Sequence, residues 1–159
     1  MAAEWSDLFV AAAGASAALA GLVFVAVSIN VDRIIGGPGL PEMAFITVLL
    51  LVGVLVVSLF CLIPDQGTKT LGFEMLGISL LWTGGILRFG KKSLPHLTHG
   101  YQYVTRAVLP LLGTVPYLIG SVFLISGNAA GLDWIFVGVI GAILAAVMNA
   151  WILLIEILR

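Results

Sequence analysis

Five almost unbroken apolar stretches constrain this chain more than any other feature. They run from Leu8 to Ile29, Phe45 to Ile63, Leu71 to Leu87, Ala107 to Ile125 and Trp134 to Ile155. About 20 such residues carry a helix across the hydrocarbon core of a bilayer. The chain has 159 residues, of which 61% are apolar and only 9% charged, whereas soluble domains are about a quarter charged. An ordinary soluble domain, a disordered tail and most nucleic-acid binders are excluded. Seven Lys and Arg against eight Asp and Glu leave a net charge of −1, so no basic or acidic arm is present. Glu4 and Asp7 stand where a secretory signal would carry positive charge, and the first run therefore reads as a retained anchor.

The expected architecture is all-α: a single polytopic transmembrane bundle with helices near 5–31, 42–63, 71–88, 104–126 and 132–157. IGGPGLPE, PDQGTKT, RFGKKSLPHLTHG and GNAAGLD separate the runs. Pro41 suits a first helical turn, where its missing N–H costs nothing. With five crossings, Arg33, Arg88, Lys91, Lys92, Arg106 and Arg159 share one side and only Lys69 lies on the other. The positive-inside rule then places the N-terminus outside and the C-terminus inside. A non-crossing third run gives the same charge bias with both termini inside. Its length favours a crossing.

Helix one carries Ala11, Gly14, Ala18 and Gly21 at spacings of three and four, on one face. Helix five repeats the pattern with Gly138, Ala142, Ala145 and Asn149. Small residues let membrane helices approach closely where lipid removes the hydrophobic drive. These faces are expected to pack within the bundle or to form an oligomer interface. Helix two, almost uniformly aliphatic, reads as lipid-facing. Trp5 and Trp134 suit one interface and Trp151 the other, while Trp82 suits a position among helices.

Ionisable groups inside a membrane are costly and point to function. Glu74 is the first candidate for an ion path. Asp7, Thr114 and Asn149 join it, Thr114 because Pro110 and Pro116 break helix four around it. Asp32, Arg33, Arg88, Arg106 and Glu156 form an expected ion-pair belt on the inner side. His96 and His99 lack the further ligands of a metal set, the glycine clusters lack a phosphate-loop ending, and no serine has a convincing base. No enzyme activity, cofactor or metal is expected. Cys61 reads as a small packing residue.

The segment AAAGASAALAGLVFVAVSIN, the PGLP turn and LGFE resemble a family of small bacterial polytopic inner-membrane proteins, some of which carry a label as modulators of a membrane protease. The matching positions are Gly14, Ala18, Gly21, Phe24, Ser28, Asn30, Pro41 and Glu74. The resemblance implies a shared fold and a multi-pass place in the bacterial inner membrane, without catalytic residues. Two functions follow as expectations: a small oligomeric channel or transporter for a cation or proton, or a non-enzymatic subunit binding itself or another membrane protein. Membrane lipids are the remaining expected partner, and nucleic acid is not one.

Overall fold

The computed structural model describes residues 2–93 and 108–158. Among these every regular element is helical: α1 (Ala2–Ile29), α2 (Val31–Gly36), α3 (Leu40–Cys61), α4 (Thr68–Ser93), α5 (Leu109–Leu112), α6 (Val115–Ile125) and α7 (Gly131–Leu158). Four of them, α1, α3, α4 and α7, are long and apolar enough to cross a bilayer, and Leu109–Ile125 is a shorter apolar segment. A membrane protein follows from these four.

The turns explain the boundaries. Gly39 sits in the left-handed region (φ 77°) immediately before α3, with Pro41 inside its first turn. Gly127 (φ 82°) ends α6. There the amides of Gly127 and Asn128 return to the carbonyls of Leu124 and Phe123, so the last turn is closed by a residue without a Cβ penalty. The Asn128 side chain accepts from Ala130 N–H and completes the tight link to α7. Helix α4 begins at Thr68 and continues to Ser93, longer at both ends than the apolar run that signals it, because Thr68, Lys69 and Thr70 extend the helix into polar sequence. Its length and composition are those of a helix able to cross a bilayer.

Helix α3 packs on α1, α4 and α7, and α6 joins α4 to α7. The last four thus close a ring, α3–α4–α6–α7, with α1 laid against α3 from outside. One end of the bundle carries Trp5, Cys61 and Leu132. The other holds Ile34, Leu40, Met43, Ala44 and Leu153 in a separate apolar cluster. These are called the Trp5 end and the Asn30 end below.

The expectation that the second run faces lipid is overturned. In the most apolar stretch of α3, 56% of residues are buried, against 11% for α1. A uniformly aliphatic helix has no facial bias to read, and in lipid hydropathy does not separate inside from outside. Its small positions mark the contact. A Cβ on Gly53 would lie 2.5 Å from Trp82 Nε1, so the bare backbone there admits the indole. Trp82 then donates to the Leu49 carbonyl at 2.8 Å, tying α4 to α3.

Candidate functional site

Glu74 lies on α4, a turn deeper than the apolar run alone suggests, because the helix starts at Thr68. It is half-buried. Its carboxylate accepts from Gln66 Nε2, a residue of the α3–α4 turn, so a side-chain amide tethers it to that turn. Gln66 went unnoticed in the sequence because a single Gln in a polar turn carries no spacing signal. Its Oε1 is shielded from solvent and has no partner. Asp7, Asp65 and Asp133 are exposed at the same end of the bundle.

Thr114 and Asn149 are each 1% exposed, on α6's N-terminal flank and on α7. Thr114 Oγ1 makes long contacts to the carbonyls of Pro110 and Leu111, 3.4 and 3.5 Å. The helix breaks at Gly113–Thr114 as the two prolines require. Pro116 has no N–H to offer the Leu112 carbonyl. That oxygen faces α7, where a Cβ on Gly141 would stand 2.9 Å from it. Gly113 meets Ala142 just as closely, at 2.7 Å from its Cα to the position of an added Cβ. The break is therefore sealed by helix-to-helix contact. Asn149 Oδ1 has no hydrogen-bond partner.

The two small-residue faces have different fates. On α7, Gly138, Ala142, Ala145 and Asn149 are all buried; Gly138 receives the ring of Tyr117, whose Cε1 would be 2.6 Å from an added Cβ. On α1, Ala11, Gly14, Ala18 and Gly21 are exposed, and a Cβ on Gly14 or Gly21 would meet nothing within 4 Å. The opposite face of α1, with Phe9, Ala12 and Ser16, is the one buried. The Tyr117 hydroxyl and Ser58 Oγ, both in the bundle interior, lack partners.

Asp32, Arg33 and Arg88 are exposed and form no ion pair with one another, so these three do not constitute the expected belt. Glu156 is half-buried near the same end. Arg106, His96 and His99 lie outside the described residues. Among the described residues no group of His, Cys, Asp and Glu is placed to hold a metal. Cys61 is buried and unpaired.

Among the described residues a cleft of about 340 Å³ lies between α1 and α7; another, of about 50 Å³, continues it towards Asn30; a third, of about 40 Å³, sits under Trp5 and Gln66. None of the three is lined by Glu74, Thr114 or Asn149. Compared with protein-family models, curated proteins and solved structures, the chain matches none.

Proposed function

We propose that this protein is a non-enzymatic integral membrane subunit that binds a second copy of itself or another membrane protein through the open face of α1. One observation carries the reading. Helix α1 is held on one side by α3 and leaves Ala11, Gly14, Ala18 and Gly21 uncovered, the residue type that lets two membrane helices come close. The paired faces on α7 are used up inside the chain. The reading includes five crossings, with the N-terminus outside and the C-terminus inside a bacterial inner membrane, on the strength of the positive charges and the family resemblance.

The test is energy transfer between labelled copies in lipid vesicles, with cross-linking in native membranes to capture a different partner. Replacing Gly14 and Gly21 together by Leu is expected to abolish association while leaving the chain folded. Association unchanged by this pair of substitutions removes α1 as the interface.

Passage of a cation or proton is a second reading, favoured by the half-buried Glu74 held by Gln66 and by the unpartnered Oδ1 of buried Asn149. Among the described residues these groups line none of the clefts above, and this reading places the path between copies. Reconstituted protein would then carry a proton or monovalent-cation flux that Glu74→Gln alters. An equal flux in wild type and variant excludes Glu74 from the path.

A further inference from the structure

We propose that the cleft between α1 and α7 holds one acyl chain of a membrane phospholipid, whose phosphate sits at Arg33. The proposal rests on the membrane placement above and is independent of what covers the open face of α1.

The two helices touch near the Trp5 end, where the rings of Trp5 and Phe136 lie 6.1 Å apart, and separate below it. Leu51 of α3 forms the floor of the gap. Ala26 on one wall and Ala146 and Ala150 on the other recess the cleft, because none projects beyond a methyl group. The wide cleft and its continuation share Val23, Ala26, Ala150 and Leu154, so they form one groove. Its volume of about 340 Å³ in the wide part is at the lower end of the range for small-ligand pockets.

The dimensions and the charges select the occupant. From Ala146 to Ile157 the groove follows α7 for about 16 Å, at about 1.5 Å per residue. That is the depth of one leaflet of an about 30 Å hydrocarbon core. The lining is apolar throughout this depth and turns polar only at Asn30, where a headgroup begins. Arg33 stands in the next turn, exposed and without an ion-pair partner among the described residues, so its guanidinium is available for a phosphate oxygen. Asp32, Glu156, and Arg88 and Lys91 of α4 share this end; Arg33 is the cation next in sequence to Ile34, which lines the mouth of the groove. A single acyl chain with a headgroup fits both the length and the polar terminus.

The experiment is native mass spectrometry of the full chain released from nanodiscs of phosphatidylglycerol, after a flotation assay has established that it resides in vesicles. The wild type is expected to retain one lipid per chain. Ala150→Phe and, separately, Ala26→Phe fill the groove and should lose that lipid; Arg33→Gln should weaken its retention. Ala17→Phe, exposed on the side of α1 away from the groove, should keep it. Circular dichroism identifies any variant that fails to fold, and the two filling variants act from different helices. Lipid-free wild type, or a lipid equally retained by folded Ala150→Phe, overturns the proposal. So does disulfide cross-linking of Ala150→Cys between copies in vesicles, which would assign the groove to a second chain. A chain that does not float with vesicles overturns the membrane placement itself.

Discussion

Glycines in this protein divide by what stands opposite them. Gly120 and Gly131 are mutual neighbours on α6 and α7: a Cβ on the first would lie 2.7 Å from Gly131 O, and one on the second 2.6 Å from Gly120 O. Backbone atoms cannot swing aside as a flexible side-chain end does. Gly120→Ala is therefore expected to destabilise the fold by about 1–3 kcal/mol, the range for overpacking, in reversible unfolding from detergent micelles. Gly14→Ala, facing open space, should leave the midpoint unchanged or raise it slightly, since alanine is the better helix former. The sequence distinguishes these two kinds of glycine poorly. Spacing marks Gly14, Gly21 and Gly138 as faces, but the identity of the opposite surface resides in the partner helix. Gly53 has no such spacing, and its role appears only once Trp82 is set against it.

At the level of helices, the apolar runs and their breakers were legible, because length and hydropathy are local properties. The turn at Gly39, the proline break at Thr114 and the four long helices follow directly from residue type. The ranking of helices by burial was not legible. Every side of α3 is aliphatic, so its central place is set by three neighbours that require it. The direction of α1 was misleading for the same reason: its small residues describe a surface suited to close contact, yet Phe9, Ala12 and Ser16 lie towards α3. Ser16 is 0% exposed and its hydroxyl is spent on the Ala13 carbonyl. Ser16→Leu should push α1 off α3 and cost about 1–3 kcal/mol. Ala18→Leu, on the open face, should stay within about 0.5 kcal/mol in the same unfolding measurement, and a large loss there would reverse the assigned orientation of α1.

For the whole molecule, the critical prediction concerns the two ends of α4. Lys69 and Lys91 lie near opposite ends of this helix, about 33 Å apart at about 1.5 Å per residue. With Cys61 replaced by Ala, Lys69→Cys should react with a membrane-impermeant maleimide on intact cells, and Lys91→Cys only after permeabilisation. Labelling of both from one side excludes a crossing by α4. The ring arrangement has a kinetic consequence as well. Contacts α1–α3, α3–α4, α4–α6 and α6–α7 join helices that follow one another among the long segments, so each forms soon after its second member enters the bilayer. The contact of α3 with α7 joins helices far apart in the chain, and distant pairings are the slow ones. Until the last helix arrives, the flank of α3 that it will cover stands open to the bilayer, and that is the surface on which an assembly factor or a misplaced neighbour would first compete.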